Sequence, residues 1–235
     1  MTDIAALTFD VFGTVVDWRG SLIREGQALQ QATGFTADWG AFADAWRGLY
    51  QPMMSEVREG RMPWTRLDDL HRMALDRLLP EFGLESLSEV QRQGLNLAWH
   101  RLDPWPDSVA GLTRLKQRFI LAPLSNGNVR LLVDMAKRAG LPWDAILGAE
   151  VARAYKPQPA AYLAAADLLY LPPARCMLVA AHYTDLVAAR NCGFRTCYVW
   201  RRQEFGPRQK NDLPTDHGLD YVVEDFLELA DRLGC

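Results

Sequence analysis

The pattern of apolar and polar residues changes along the chain and separates two kinds of region. A short apolar run at residues 5–9 has the length and the β-forming content of a buried strand. Farther on, apolar residues recur at helical spacing in four successive stretches, with no strand between them. The pattern predicts helices at about 21–31, at 37–54, after Pro63 and at about 88–100.

A Pro-rich segment at residues 103–107 breaks the chain, and strands and helices alternate beyond it. Strands are predicted at 119–124, 145–149, 176–181, 196–200 and 221–223. Helices are predicted at 129–138, 159–169 and 184–191, with a last one that ends at Leu233. Because such alternation is typical of βαβ units, we predict an α/β protein with a Rossmann-like parallel sheet. Residues 1–14 and 102–235 would form this core domain, and residues 15–101 would form an inserted helical-bundle cap domain.

Composition and charge narrow the classes of function. The net charge of -3 gives no electrostatic reason to expect binding to nucleic acid or to an anionic membrane. No apolar run reaches 18 residues, and the N-terminus lacks the basic and apolar regions of a signal peptide. The four cysteines have no CxxC spacing, which indicates reduced thiols rather than a disulfide framework or a zinc site. We therefore expect a cytoplasmic protein.

Side chains that could do chemistry follow four of the predicted strands. In chain order they are Asp10, Ser125 with Asn126, Lys156, and His182 with Asp185. A carboxylate can act as a covalent nucleophile, and a Ser-Asn turn at a helix start can hold an anion. Taken singly, each residue could instead cap a turn or be a solvated charge. Because the carboxyl ends of parallel strands meet at one crevice, we expect these side chains to form a single site.

The same residues resemble the motifs of a known family, the haloacid dehalogenase (HAD) superfamily, and within it the L-2-haloacid dehalogenases of type II. Residues 10–14 resemble the nucleophile motif, and residues 124–127 resemble the second motif. Lys156, with Tyr162 six residues later, resembles the third motif, and Asp185 lies in the fourth. The resemblance covers essentially the whole chain and implies the HAD fold.

The helical region and the tail carry further similarities to this family. Trp46-Arg47 is similar to a Trp-Arg pair whose arginine handles the leaving halide. Trp64 is similar to an aromatic residue that flanks the halide. The segment at 202–207 resembles a subgroup of the family, and no chemistry is assigned to it.

The motifs differ from those of the Mg²⁺-dependent phosphatases of the superfamily. Those enzymes protonate the leaving oxygen with a second aspartate, and its position here is Phe12. Their metal-binding Gly-Asp pair falls on Ala180-Ala181, and alanine cannot ligate Mg²⁺. A halide leaves as a stable anion and needs neither a general acid nor a metal. The sequence therefore favours dehalogenation over phosphoryl transfer and predicts no metal and no cofactor.

The resemblance implies a hydrolase of short 2-haloalkanoic acids, haloacetate or an (S)-2-haloacid, that releases a 2-hydroxy acid and halide. Asp10 would attack the carbon that carries the halogen and form an ester, and Lys156 would keep Asp10 ionised. Asp185, together with His182, would direct water at that ester. The expected substrate- and halide-binding residues are Thr14, Ser125, Tyr162, Arg47, Asn126, Phe12, Trp46 and Trp64. The resemblance also implies a homodimer.

Three positions depart from the family, which has serine at Ala180, asparagine at His182 and tryptophan at Thr184. His182 is therefore either a base in the second step or a histidine that caps a helix or is satisfied in the core. The remaining histidines have no partner pattern and are expected at the surface or at helix caps, namely His71, His100 and His217.

Three other functions stay open at this point. The first is a related hydrolase that opens a ring at a carbon next to a carboxylate, and the second is a phosphatase. The third is a non-catalytic binding protein, and the joint presence of five residues argues against it: Asp10, Lys156, Asn126, Arg47 and Asp185.

Overall fold

The computed structural model describes residues 3–209 and 213–235. Its strands, in chain order, are β1 (Ala6–Phe9), β2 (Val16–Asp17), β3 (Asp103–Pro104), β4 (Ile120–Ser125), β5 (Leu147–Gly148), β6 (Cys176–Ala180), β7 (Arg195–Val199) and β8 (Tyr221–Val223). Within the described residues, six of them form one sheet in the order β5-β4-β1-β6-β7-β8, and its neighbouring strands are parallel. The predicted α/β architecture is therefore confirmed.

Helices make up the segment between β2 and β3 and also connect the strands of the sheet. In chain order they are α1 (Trp18–Thr33), α2 (Trp39–Gly48), α3 (Tyr50–Arg58), α4 (Leu67–Leu78), α5 (Glu89–Asn96), α6 (Ser108–Leu115), α7 (Val129–Ala139), α8 (Ala149–Ala152), α9 (Pro159–Leu168), α10 (Tyr183–Asn191) and α11 (Phe226–Leu233). β2 and β3 pair antiparallel where the chain enters and leaves the segment of α1 to α5. Both strands have two residues, which is too short to leave a pattern in the sequence.

The helix predicted at 37–54 is two helices, α2 and α3, which meet at Leu49. Pro52 lies in the first turn of α3 and has no N–H to donate to the carbonyl of Gly48. The hydrogen-bond ladder therefore breaks there, and the Leu49 N–H closes α2 by donating to Ala45 O at 3.2 Å. The prediction of one continuous helix was wrong for this reason.

The helix predicted at 88–100 begins with a reciprocal capping box. The Gln91 N–H donates to Ser88 Oγ at 3.3 Å, and the Ser88 N–H donates to Gln91 Oε1 at 2.8 Å. The α-helix ends at Asn96, and a 3₁₀ helix, Leu97–Arg101, continues the chain. α6, which follows the Pro-rich break, was not predicted.

β1 lies in the interior of the sheet, between β4 and β6, and its four side chains are fully buried. Because β1, β4, β6 and β7 are parallel, their carboxyl ends lie at one edge. Asp10, Asn126 and His182 follow three of these ends directly or within two residues. The fold therefore brings the predicted chemistry to a single edge.

Apolar side chains of the helical segment and of part of the sheet form one continuous buried cluster, which includes Phe9, Trp46 and Leu132. The two predicted domains therefore share a core, and their boundaries remain a prediction. Of residues 3–209 and 213–235, no helix has the length and apolar content needed to cross a membrane. The four cysteines are unpaired thiols.

Candidate active site

Asp10 lies directly after β1, and its backbone N–H donates to Val179 O of β6 at 3.0 Å. Gly13, with a φ of 89°, turns the chain so that the Thr14 hydroxyl donates to Asp10 Oδ2 at 2.7 Å. The Ala181 N–H in turn donates to Thr14 Oγ1 at 2.9 Å. The Asp10 residue is only 7% exposed, so its carboxylate is fixed in a largely dry environment.

Lys156 joins the two predicted catalytic carboxylates. Its ammonium donates to Asp10 Oδ1 at 2.9 Å and to Asp185 Oδ2 at 2.5 Å. The Tyr162 hydroxyl donates to Asp185 Oδ1 at 2.6 Å. The structure therefore brings together four residues that the sequence predicted as one site, and we call Asp10, Lys156, Asp185 and Tyr162 the lysine–carboxylate cluster.

The backbone of Lys156 is held from two sides. Its N–H donates to Asn126 Oδ1 at 2.8 Å, and its carbonyl accepts from Arg58 Nη1 of α3 at 3.1 Å. Ser125 supports the same turn, because its Oγ accepts from the Gly127 N–H at 3.1 Å. These polar residues at the end of β4 therefore position the lysine and its loop.

The charged groups of the lysine–carboxylate cluster shift one another's pKa values toward the ionised forms. Burial alone would raise the pKa of Asp10, but the charge of Lys156 and the hydrogen bond from His182 hold it well below its usual range. Burial would lower the pKa of Lys156, but Asp10 and Asp185 raise it above its ordinary value. Burial and the charge of Asp185 raise the pKa of Tyr162. At neutral pH, Asp10 is therefore an ionised carboxylate, Lys156 a cation and Tyr162 a hydrogen-bond donor.

A cavity of about 820 Å³ opens onto the cluster and is lined by Asp10, Lys156, Asp185 and Arg47, among others. The Arg47 guanidinium lies 4.1 Å from the ring centroid of Tyr50 and 5.4 Å from that of Trp18. Its Nη1 atom is buried and has no hydrogen-bond partner among the described residues. A buried donor without a partner is costly, so this nitrogen is suited to an anion in the cavity.

Five of the eight residues predicted to bind substrate or halide do not line this cavity: Thr14 and Ser125, whose hydrogen bonds are given above, and the aromatic residues Phe12, Trp46 and Trp64. Phe12 and Trp46 are buried in what we call the aromatic cluster, which consists of Phe12, Trp46, Tyr50, His71 and Trp99. Trp64 packs on Tyr155, with ring centroids 4.9 Å apart. Because their rings are packed against protein, the structure gives no support for direct contact of these three residues with a ligand.

His71 belongs to the aromatic cluster and stacks on Trp99, with ring centroids 4.2 Å apart. Both of its ring nitrogens are buried without a hydrogen-bond partner among the described residues, and burial lowers its pKa to about 3. His100 is also buried, between Asp68 at 3.1 Å and Asp134 at 2.9 Å. The prediction that these two histidines lie at the surface or at helix caps was wrong, because the helices that carry them turn these side chains inward.

His182 contacts both the nucleophile candidate and a residue that the sequence analysis missed. Its Nδ1 lies 3.1 Å from Asp10 Oδ2, and its Nε2 lies 2.9 Å from Glu204 Oε1 and 3.1 Å from Oε2. His182 is the N-cap residue of α10, but its side chain makes no capping hydrogen bond. Glu204 lies in the loop after β7, within the segment at 202–207 to which the sequence analysis assigned no chemistry.

The residues at this edge do not fit the divalent cation that serves the phosphatases of the superfamily. The ammonium of Lys156 occupies the space between Asp10 and Asp185, and a cation there would have to displace it. Ala180 and Ala181 offer no side-chain oxygen at the expected ligand position. Lysine therefore balances the two carboxylates.

Comparison with known proteins agrees with this geometry. The family model of the haloacid dehalogenase-like hydrolases matches residues 4–193. The crystal structure of an L-2-haloacid dehalogenase is 48% identical and superposes with a TM-score of 0.95, covering 98% of this chain and 99% of that one. The structure of a defluorinating L-2-haloacid dehalogenase is 44% identical, with a TM-score of 0.95 over 99% of this chain and 96% of that one. Among curated proteins, (S)-2-haloacid dehalogenase 1 of Pseudomonas sp. (strain CBS-3) is 29% identical over 95% of this chain and 96% of its own length.

Proposed function

We propose that this chain, which belongs to the haloacid dehalogenase-like hydrolases, hydrolyses the carbon–halogen bond of short 2-haloalkanoic acids. The substrate would be haloacetate or an (S)-2-haloacid, and the products would be a 2-hydroxy acid and halide. The similarity to L-2-haloacid dehalogenases over nearly the whole chain supports the reaction type. The lysine–carboxylate cluster supports a mechanism in two steps.

In the first step, Asp10 attacks the carbon that carries the halogen from the side opposite the halogen. The carbon–halogen bond breaks, its electron pair leaves with the halide, and an aspartyl ester forms. Lys156 keeps Asp10 ionised next to the carboxylate of the substrate, since its charge favours the anionic form. The buried site fixes Asp10 by its hydrogen bonds to Thr14 and Lys156 and so limits the number of unproductive orientations.

Arg47 stabilises the departing halide in this proposal. Its buried Nη1 has no protein partner among the described residues, and it lines the same cavity as Asp10. A donor aimed where negative charge develops lowers the barrier more than one that contacts only the ground state. Asn126, in the turn after β4, also lines the cavity and would stabilise the halide together with Arg47.

In the second step, water attacks Cγ of the Asp10 ester and releases the 2-hydroxy acid. Asp185 takes a proton from this water. Its Oδ1 and Oδ2 already accept from Tyr162 and Lys156, which orients the carboxylate at the wall of the cavity. Oxygen from water therefore remains in the side chain of Asp10.

The single observation that carries this proposal is the contact between a buried, ionised Asp10 and Lys156 at the end of β1, in a cavity lined also by Arg47, whose Nη1 has no partner among the described residues. The test is halide release from (S)-2-chloropropionate and from fluoroacetate, with p-nitrophenyl phosphate as the phosphatase substrate, with and without EDTA. We expect chloride release that EDTA does not change. After one turnover in ¹⁸O-water, mass analysis should find the label in the peptide that contains Asp10. Metal-dependent phosphate release without halide release would overturn the proposal.

We also propose that the protein acts in the cytoplasm and as a homodimer. Four unpaired thiols are suited to a reducing compartment. Exposed apolar side chains at Leu163, Leu168 and Tyr170 supply surface that a second copy could cover. Sedimentation as a single chain at micromolar concentration would contradict the dimer.

A further inference from the structure

We propose that His182, held by Glu204, acts with Thr14 as the oxyanion hole for hydrolysis of the Asp10 ester. The proposal rests on the ester mechanism above and assigns a chemical role to a residue pair, His182 and Glu204, that lies outside the lysine–carboxylate cluster. It concerns the second step only. It therefore makes a different prediction from a general loss of activity.

The two oxygens of Asp10 have different surroundings. Oδ1 accepts from Lys156 at 2.9 Å, whereas Oδ2 accepts from Thr14 at 2.7 Å and lies 3.1 Å from His182 Nδ1. Hydrogen-bond donors withdraw charge from an oxygen, so Oδ2, with two of them, is the weaker nucleophile. We therefore assign the attack to Oδ1, which leaves Oδ2 as the carbonyl oxygen of the ester.

The hydrogen bonds also fix where the protons lie. The Ala181 N–H donates to Thr14 Oγ1, and a carboxylate can only accept, so the hydroxyl hydrogen of Thr14 is directed to Oδ2. Both ring nitrogens of His182 face carboxylate oxygens, Nδ1 facing Asp10 and Nε2 facing Glu204. Each nitrogen therefore carries a proton, and His182 is an imidazolium that donates from both sides.

The electrostatics of the pair agree with this protonation state. Burial alone would lower the pKa of His182, but the charges of Glu204 and Asp10 and their hydrogen bonds raise it well above its ordinary value. A base needs a free lone pair, and a doubly protonated ring has none. The role of His182 is therefore that of a donor, and the deprotonation of water belongs to Asp185.

Glu204 is fixed firmly enough to act as a positioning residue. It is 2% exposed and accepts a hydrogen bond from Trp18 Nε1 at 3.2 Å. A β-carbon at position 13 would collide with its Oε1, so the glycine at this turn leaves room for the carboxylate. These contacts align the His182 ring on Oδ2 before the reaction starts, as electrostatic stabilisation of a transition state requires.

Water adds to Cγ and gives one proton to Asp185, and the electron pair of the C=O bond moves to Oδ2, between Thr14 and His182. When this pair returns, the bond between Cγ and Oδ1 breaks. The released oxygen takes a proton from Lys156 and leaves as the hydroxyl of the 2-hydroxy acid. The new Asp10 carboxyl returns a proton to Lys156, and Asp185 gives its proton to solvent.

The experiment is a single turnover of (S)-2-chloropropionate with enzyme in excess. Chloride appearance measures ester formation, and lactate appearance measures ester hydrolysis. In H182L we expect hydrolysis to slow by about 10²- to 10³-fold, the usual effect of removing one oxyanion donor. Ester formation should change much less, so intact-protein mass spectra should show the ester accumulating on Asp10.

Two further variants, E204Q and H182N, test how the hydrolysis rate depends on the strength of the donor. A third, E224Q, is a matched control. Because charge-assisted hydrogen bonds are about twice as strong as neutral ones, we expect E204Q to slow hydrolysis by about tenfold. H182N, which restores a neutral donor, should recover part of the loss in H182L. E224Q makes the same change at an exposed glutamate that pairs with Arg202, and it should leave both steps unchanged.

The outcomes separate this inference from the proposed function. If H182L and E204Q slow both steps equally, or leave hydrolysis unchanged, the oxyanion role is overturned while the dehalogenase survives. If the native enzyme releases no chloride and forms no ester, the proposed function itself fails. Should H182L not fold, the selective effect of E204Q on hydrolysis remains the deciding measurement.

Discussion

Two histidines in this protein, the buried His71 and the partly buried His182, occupy opposite environments. His71 stacks on Trp99 in the aromatic cluster and has no hydrogen-bond partner among the described residues, so burial holds its pKa at about 3. His182 lies between Asp10 and Glu204, which raise its pKa well above the ordinary value. Burial lowers the pKa of both rings, and the carboxylates of Asp10 and Glu204 account for the higher pKa of His182. Depth alone therefore does not determine charge state here.

The same contrast applies to the two clusters as a whole. The aromatic cluster buries large rings and fixes the position of Arg47 through Tyr50, one of its members. The lysine–carboxylate cluster buries charges, and every one of its members has a hydrogen-bond partner. We therefore expect the aromatic cluster to contribute to stability and the lysine–carboxylate cluster to contribute to catalysis. Substitutions in the two clusters, and at the buried His100 outside them, test this division.

Lys156→Gln should have the largest effect, because it leaves the carboxylates of Asp10 and Asp185 without their shared cation. We expect chloride release to fall by about 10⁴-fold, as when a member of a catalytic unit is removed. The pKa of Asp10 should rise without its counter-charge, so the acid limb of the rate profile should move to higher pH. K116Q, at a surface lysine paired with Asp144, is the control and should keep full activity. An unchanged acid limb in K156Q would contradict the charge assignment.

Arg47→Met removes the link between the two clusters. Without the guanidinium we expect ester formation, measured as chloride appearance in a single turnover, to slow by about 10²- to 10³-fold. Hydrolysis of an ester already formed should be much less affected, since the halide has left by then. R92M, in the helical segment, is the matched control, because Arg92 pairs with Asp76 away from the cavity. A loss confined to hydrolysis would contradict the halide role.

His71→Phe should stabilise the protein, since it removes two buried nitrogens that lack partners in the part of the chain that the structure describes, and it keeps the aromatic stacking. We expect a gain in the free energy of unfolding of about 1 kcal/mol at pH 7, measured by urea denaturation. The pKa of His71 is lower in the folded protein than its ordinary value of 6.5 in the unfolded chain. The free energy of unfolding of the native protein therefore decreases as pH falls below 6.5, because only the unfolded chain takes up the proton. The advantage of H71F should therefore grow by about 1.4 kcal/mol per pH unit below 6.5. Parallel stability curves for the two proteins would show that His71 is not neutral in the fold.

His100→Gln should have the smallest effect and the opposite pH dependence. Burial lowers the pKa of His100, but hydrogen bonds and charge from Asp68 and Asp134 raise it above the ordinary value. Its stabilisation is therefore complete below the unfolded pKa and disappears as pH rises through the folded pKa. We expect H100Q to lose about 1 kcal/mol of unfolding free energy at pH 6 and less at pH 9. Equal losses at both pH values would leave no role for its charge.

Much of the fold could be predicted from the sequence because the strands and helices leave strong periodic patterns. The parallel sheet and the strand that ends at Asp10 follow from apolar runs and their alternation with helices. The division of α2 from α3 depends on one missing N–H at Pro52, which a window of apolar spacing averages away. β2 and β3 escaped prediction because two residues carry no period.

Residues of the site could be predicted from the sequence where a reactive side chain follows a predicted strand. Asp10 follows β1 directly, Asp185 lies in the first turn of the helix after β6, and Lys156 follows β5 and the short helix α8. The structure joins the three side chains. Trp46 resembled a family motif, but whether its ring faces ligand or core depends on packing that no local pattern encodes. Glu204 was missed for a related reason, since a glutamate in a charged loop looks solvated until its burial is seen.

The backbone of Lys156 has one further consequence. The turn after β4 holds it through Asn126, and α3 holds it through Arg58, so this lysine is anchored both to the sheet and to the helical segment. The position of its ammonium beside Asp10 therefore depends on contacts from two parts of the chain that lie far apart in the sequence.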